Sequence, residues 1–337
     1  MSRGLLMIDG SNVLHANNNI GQLKVGDQPT QAVYGFLRAL RPMLSIYSML
    51  TPIVLWDGAS WRRMTYPEYK GNRDKEAKTK EELKVKELKR QFKLQLPLMK
   101  EALSLLGVRQ MIAINYEADD LAGLICERLK ATGKRGVMIS GDKDWVQLVS
   151  KNTAWVDPVR DYRLSLNTMP NKLGWIPDKK DIRVTDDGSK IEGFVGVPSP
   201  RAWLEMKALM GDMGDNIPGV GGIGPRGAID FVHAYGSVAS FFNQCADKSI
   251  DIDKLPKKLR DFAISDEKQE LYRRNMRLMD LNTTERPAPI ALETTRGQLD
   301  PDAFEQFCER WMFRTITSDL DHYLAPFGGA QQLKAAA

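Results

Sequence analysis

The feature that most constrains this chain is a set of short apolar runs, each leading to an acidic residue. Gly4–Ile8 ends at Asp9, Pro52–Trp56 at Asp57, and Gly136–Ile139 is followed by Asp142, while the run 108–113 leads to Glu117. Runs of that length bounded by turn residues read as buried strands. Between the first two, Val33, Phe36, Leu37, Leu40 and Leu44 recur at helical spacing. Strands alternating with helices predict a mostly parallel central sheet flanked by helices. Ligands of such sheets bind beyond the carboxyl ends of the strands. A single acid there can be a turn residue. Four acidic sites converging on one edge argue for more than turns.

The stretch from Glu117 to Asp144 sharpens the point. Ala118, Leu121, Ala122, Ile125 and Leu129 predict a helix opening with Glu117, Asp119 and Asp120, and Asp142 and Asp144 follow the next strand. A helix start beside a strand end gathers like charges, which need protons or a cation among them. The competing explanation gives the helix acids to the dipole at its N-terminus.

Composition narrows the classes. The 337 residues are 42% apolar and 27% charged, a globular balance with room for a full core. No apolar run approaches a membrane span, and GLLMI is too short for a signal peptide. Three scattered cysteines and three histidines without ligand spacing exclude a structural zinc site and point to a reducing compartment. A bound metal would therefore be held by oxygen, which favours Mg²⁺ or Mn²⁺. Charge is uneven. Residues 62–93 hold 12 of the 48 Lys/Arg and 6 of the 43 Asp/Glu, so this segment carries +6 and the remainder nets −1. A local basic segment on a near-neutral body suits a polyanionic partner, against the alternative of a solvated helix face.

Within that segment Tyr66 and Tyr69 stand beside Lys70 and Arg73, suited to stacking on an unpaired base next to phosphate contacts, or else to packing at a loop base. From Arg73 to about Lys80 the chain is too polar to bury a face. Leu88, Phe92, Leu96, Met99, Leu103 and Leu106 then form a helical stripe returning to the core. Residues 157–198, with a hairpin turn expected at Asp186-Asp187-Gly188, carry no assignable role. Farther on, a helix over 202–210 precedes GDMGDNIPGVGGIGPRG, which holds Asp212 and Asp215 and a glycine hairpin. Its GVGGIG matches the dinucleotide fingerprint, but that pattern needs a strand directly before it. A helix–Gly hairpin–helix unit instead offers backbone N–H groups and a helix start to phosphates. Lys257, Lys258, Arg260, Arg273, Arg274 and Arg277 could extend that contact. A helix over 299–313 and a frayed tail close the chain.

Taken together, MIDGSN, VLWDG, EYKGNR, YEADD, SGDKD and MGDMGDNIPGVGGIG resemble the 5′-nuclease family of flap endonucleases, bacteriophage 5′→3′ exonucleases and the 5′-nuclease domain of bacterial DNA polymerases. The closing LDPDAFEQFCERWMFRTITSDL is similar too, whereas 165–195 is longer than the family leads one to expect. The resemblance implies a PIN-like 5′-nuclease core over 1–200, with a basic helical arch at about 66–100 and an insertion at 165–195. It implies a helix-hairpin-helix-type duplex-binding unit over 201–285, a segment 286–327 packing back on the core, and a tail from 328. It further implies a divalent-metal phosphodiesterase with 5′→3′ exonuclease and 5′-flap endonuclease activity, in replication or repair. Glu117, Asp119, Asp120 and Asp57, with Asp9 close by, would surround one Mg²⁺; Asp142, Asp144, Asp212 and Asp215 would surround a second. Two such ions, about 3.5–4 Å apart, flank an in-line displacement. Lys70 and Arg73 would stabilise charge on the phosphate, and Tyr69, Gly219, Gly221, Gly222, Gly224 and Arg226 would contact DNA. A K⁺ at the Gly219–Gly224 hairpin, RNA·DNA hybrids as further substrates, a monomeric state and a bacterial or host cytoplasm complete the expectations.

Two other classes compete: a DNA-binding accessory protein with a dead site, and a ribonuclease for structured RNA. The complete acid set speaks against the first, and the hairpin with its basic helices against the second.

Overall fold

A computed structural model of the chain describes residues 4–18, 23–74, 79–172, 174–184 and 190–328. The side chain of Arg73, the stretch 75–78, the expected turn at 186–188 and the tail from 329 lie outside the described residues.

The apolar runs form the strands expected of them. β1 (Gly4–Asp9), β2 (Leu50–Leu55), β3 (Arg109–Ile112), β4 (Gly136–Ile139), β5 (Thr153–Asp157), β6 (Tyr162–Leu164) and a late β7 (Glu293–Arg296) make one seven-stranded sheet. The spatial order is β7-β3-β2-β1-β4-β5-β6. The five inner strands run parallel, and each edge strand is antiparallel to its neighbour. In this register Asp9 lies opposite Leu55, and Ile8 opposite Ile139. Asp9, Asp57 and Asp142 thereby leave the sheet at one edge. β1 has β2 on one side and β4 on the other, so this edge is also where the strand order reverses, the place such sheets bind ligands.

Helices cover both faces. α1 (Gly10–Asn18), α2 (Gln31–Ile46) and α4 (Lys80–Leu105) join one core layer with Val13, Phe36, Leu40, Met99 and Leu103. A short α3 (Arg62–Thr65) precedes α4. α4 begins with a Thr79–Glu82 capping box, and its first three turns are largely solvent-exposed. It then enters the core through the lower part of the expected stripe. α5 (Ala118–Ala131) packs on the opposite face through Leu121, Ala122 and Ile125.

On that second face sits a helical unit. α6 (Pro200–Met210) starts at an Ser199 N-cap and is buried along most of its length. The Gly219–Gly224 hairpin joins it to α7 (Pro225–Tyr235), followed by α8 (Val238–Ala246), α9 (Lys257–Ile264) and α10 (Asp266–Met279). Phe231, Phe241 and Phe262 form its aromatic centre. α11 (Pro301–Arg310) returns to the first layer, where Phe304 and Phe307 are wholly buried. The unassigned 157–198 region contains an antiparallel strand pair, Gly174–Val184 with Lys190–Gly196.

Candidate active site

The acids at the sheet edge are held by different elements, and the neighbours of each decide what it can do. Asp9 is buried and accepts hydrogen bonds from the Asn12 amide (3.0 Å) and the Ser140 hydroxyl (2.7 Å). Burial, then the charges of Asp57 and Asp142, push its carboxyl up to about 8. Asp57 is exposed and accepts from the Ala118 amide at 2.8 Å, at the first turn of α5. Burial, then Asp142, Glu117 and Asp9, hold Asp119 well above the usual carboxylate range, while the Trp145 indole donates to it at 2.6 Å. Burial and Asp144 raise Asp142 to about 6. Asp9, Asp119 and Asp142 thus form one pool of mutually repelling acids, and a nearby cation is what allows them to ionise together.

Two ammonium groups neutralise the pool's flanks. Lys70 pairs with Glu117 and lies 3.8 Å from Asp215. Lys207, from α6, pairs with Asp144 and with Asp212 (2.9 Å), joining the helical unit to the core. Burial would raise Glu117, but Lys70 and Arg62 outweigh it and hold its carboxyl at about 2. Burial likewise opposes the ionised form of Asp212, which Lys207 and the amides of Asp215 and Gly214 nevertheless bring below its ordinary value. Lys70 has a left-handed backbone, φ 56°, and its amide donates to the Asp215 carbonyl at 2.9 Å. That unusual turn aims the side chain at the acids.

Two expected site residues are placed differently from their neighbours. Asp120 accepts both Arg62 Nη1 and Nη2 at 2.9 Å, the Trp61 indole at 3.2 Å and the Glu117 amide at 3.1 Å. Its carboxylate is therefore taken up beneath the pool rather than turned toward the other acids. Tyr69 is only 3% exposed, so its ring is not presented for base stacking. Its hydroxyl reaches Glu117 (3.0 Å) and Asp215 (2.9 Å) and can donate to one at a time. Tyr66 is half-buried, with the Arg274 guanidinium 4.9 Å over its ring.

Val220 and Ile223 anchor the glycine hairpin in the core, and Gly221 and Gly222 have positive φ. A Cβ at Gly219 would stand 2.4 Å from the Met210 carbonyl, so the hairpin can approach α6 only with glycine there. Gly224 is the residue before α7, and Arg226 is exposed beside Asp230. What precedes the hairpin is α6 and the two-residue strand Ile217–Pro218, paired antiparallel with Gly211–Asp212 outside the central sheet. It is not the parallel strand of a βαβ unit, which removes the dinucleotide fingerprint. Of the basic residues, Arg273 and Arg277 pair with Glu270 and Glu285, whereas the Lys258 and Lys268 side chains lie alongside Gly222 and Gly221.

The donors are all carboxylate oxygens, the chemistry of a hard divalent cation. Among the described residues no three of them are drawn tightly enough to hold a metal as they stand. The repulsion among Asp9, Asp119 and Asp142 is nonetheless what a site built for added positive charge requires, so the donor set fits such an ion. The Lys70 and Lys207 ammonium groups would be displaced by it from Glu117, Asp144 and Asp212.

The sequence matches the model of the 5′-3′ exonuclease N-terminal, resolvase-like domain over residues 4–174 and that of the 5′-3′ exonuclease C-terminal SAM fold over 198–301. The chain belongs to the 5′-3′ exonuclease family. Its relatives include a 5′-3′ exonuclease of Aquifex aeolicus, 31% identical over 62% of this chain and 61% of the relative. A thermostable DNA polymerase I of Thermus thermophilus is 27% identical over 89% of this chain and 31% of its own length. The chain thus spans less than two thirds of these relatives. Among solved structures, bacteriophage T5 5′-exonuclease with bound divalent metal ions (zinc) superposes with a TM-score of 0.59, at 24% identity, covering 92% of this chain and 99% of that one. A bacteriophage T5 flap endonuclease in a pseudo-enzyme-product complex with DNA and metal ions gives 0.59 at 23% identity, over 96% and 100%. These likenesses establish the fold: a PIN-like resolvase core with a helical SAM-like unit.

Arg62, Lys207, Ser60 and Trp145 bind the acids directly, yet none stood out in the sequence. Arg62 is buried while its neighbour Arg63 is exposed, and two adjacent arginines carry no signal of which turns inward.

Proposed function

We propose that this chain is a structure-specific 5′ nuclease that hydrolyses phosphodiesters of DNA, as a 5′→3′ exonuclease and 5′-flap endonuclease, with Mg²⁺ as its physiological metal. The observation that carries the reading is the convergence of Asp9, Asp57, Glu117, Asp119, Asp142 and Asp144 from the core with Asp212 and Asp215 from the helical unit, around Lys70 and Lys207. Those eight carboxylates would hold the metal ions. When bound, such ions activate water and stabilise the charge that develops on the phosphate oxygens.

The chain's own residues do the rest. Asp9, Asp119 and Asp142 need positive charge beside them to ionise together, so the pool is matched to cation and phosphate arriving together. Lys70 is aimed from the basic segment into the pool, and it would move from Glu117 to the scissile phosphate. Arg73, three residues on, is proposed for the same phosphate on the sequence alone. The exposed first turns of α4 carry Lys80, Lys84, Lys86 and Lys89, a surface for the single-stranded 5′ arm. The Gly219–Gly224 hairpin, the start of α7 and Lys258 would grip the duplex backbone without reading sequence. A grip of that kind also accepts RNA·DNA hybrids, and hairpin carbonyls are suited to K⁺. Tyr69 is proposed to orient Glu117 and Asp215 rather than to stack on a base.

The deciding experiment is cleavage of a fluorescent 5′-flap substrate with Mg²⁺, with Mn²⁺ and with EDTA, products being sized to the nucleotide. Metal-dependent cuts at the junction and from the 5′ end are expected. Binding without cutting under every condition would make the chain an accessory protein, and faster cutting of all-RNA flaps at matched salt would make it a ribonuclease.

A further inference from the structure

Arg62 is a strongly bonded buried cation that the proposed chemistry does not use. It is 2% exposed and lies beneath the acid pool. Its guanidinium donates to Asp120 Oδ1 and Oδ2 at 2.9 Å each, and to Glu117 Oε2 at 3.0 Å. Its Nε donates to the Leu278 carbonyl at 2.6 Å, in the last turn of α10. The Trp61 ring lies 5.0 Å from the guanidinium carbon and closes one side. The spread donors of a guanidinium meet these four acceptor atoms at once; an ammonium, with three N–H groups on one atom, leaves at least one of them unmet.

The consequence lies in the two oxygens of Glu117. Among the described residues, Oε2 receives Arg62, Ser60 (2.7 Å) and Tyr69 (3.0 Å), while Oε1 receives Lys70. Asp120, one turn into α5, has both oxygens occupied from below. We propose that Arg62 is a positioning residue: it withdraws Asp120 and the inner oxygen of Glu117, so that Glu117 presents a single outer oxygen to a divalent cation. Through Leu278 the same side chain ties that setting to α10, so the helical unit and the ligand carboxylate share one anchor. Without the fork, two buried acids three residues apart repel, and Glu117 loses its fixed rotamer. This inference rests on the reading that the pool binds divalent metal.

The test measures metal affinity rather than turnover, using Mn²⁺ titration of the full chain followed by electron paramagnetic resonance, with no DNA present. Arg62→Lys keeps the charge and loses the fork. The pair Arg62→Met with Asp120→Leu removes both buried charges at once and leaves neither unpaired. Near-UV circular dichroism verifies that each is folded. The folded variants should bind Mn²⁺ about 10–100-fold more weakly than the parent, the usual cost of losing a group that orients a ligand. Duplex affinity measured in Ca²⁺ should change by less than about threefold, because the backbone grip lies elsewhere. Parental Mn²⁺ affinity in either folded variant overturns the role given to Arg62 while leaving the metal site in place. A parent that binds no Mn²⁺ refutes the metal reading itself and this inference with it.

Discussion

At the scale of single residues, the site turns on which charges are compensated and which are not. Lys70 is the cation proposed to meet the scissile phosphate, and replacing it should affect reaction more than binding. Lys70→Ala is expected to lower the single-turnover rate by about 10²-fold or more, with affinity for flap DNA in Ca²⁺ altered by less than about threefold. At φ 56° any Cβ is strained, so alanine keeps the backbone strain that lysine already carries. Lys70→Gly removes that strain and should lose the same rate; recovery of rate in the glycine variant would assign the effect to the turn rather than to the ammonium. Asp9 makes a prediction for the metal-free protein. Its folded-state pKa is raised from 3.8 to about 8, so the folded chain holds this proton more tightly than the unfolded one. Stability from that proton is complete below the ordinary carboxylate range and is lost as pH rises through about 8. In EDTA, Asp9→Asn should therefore raise Tm little at pH 5 and by about 5 °C at pH 8, roughly 2 kcal/mol in a protein of this size. An equal gain at both pH values would show that Asp9 does not carry the proton in question.

At the scale of elements, the helix–hairpin–helix makes the proposed duplex grip testable in separable parts. Gly219 packs its backbone against Met210, and a methyl group there must displace main chain. Gly219→Ala should lower both Tm and duplex affinity, the first by about 1–3 kcal/mol of stability. Lys258 is exposed, so Lys258→Ala should leave Tm unchanged while weakening duplex binding; the slope of log affinity against log salt should fall by about one contact. A Lys258 variant with the parental salt slope would remove that side chain from the interface. The elements also mark what the sequence could and could not disclose. Strand ends were legible because an apolar run closed by an acid is a local pattern, as Ile8–Asp9 and Trp56–Asp57 show. The fates of Asp119 and Asp120 were not, because adjacent helix positions point about 100° apart and only the surrounding elements determine which meets Arg62. The helix N-terminus explanation accounts for part of the cluster: Asp120 accepts from the Glu117 amide, and Asp57 from the Ala118 amide. In 157–198 the hairpin was legible from its turn residues, since the paired strands Gly174–Val184 and Lys190–Gly196 lie on either side of 186–188. The strands' extents were not, because this polar, lysine- and aspartate-rich sequence lacks clear alternation.

At the scale of the whole molecule, the acid pool is built from two units. Asp9, Asp57, Glu117, Asp119, Asp142 and Asp144 come from the sheet edge, α5 and the turn after β4, whereas Asp212 and Asp215 follow α6. Joints between them include Lys207 with Asp144 and Asp212, Tyr69 and Lys70 with Asp215, and Arg62 with Leu278. A cation bound among acids from both units would oppose their separation as well as local opening. Ligand that binds only the folded chain stabilises it by about 2.7 kcal/mol at one hundred times its dissociation constant. Saturating Mn²⁺ should therefore raise the parent's Tm by several degrees, with Ca²⁺ acting likewise although cleavage stops. Replacing Asp212 and Asp215 together by asparagine leaves the core acids in place but cuts their link to the helical unit. That variant should keep only part of the Mn²⁺-induced gain, about half if the two units share the ions evenly. Its helical unit should also stay protease-sensitive at Mn²⁺ concentrations that protect the parent. An undiminished gain with undiminished protection would confine the metal to the core and reduce the helical unit to a DNA clamp.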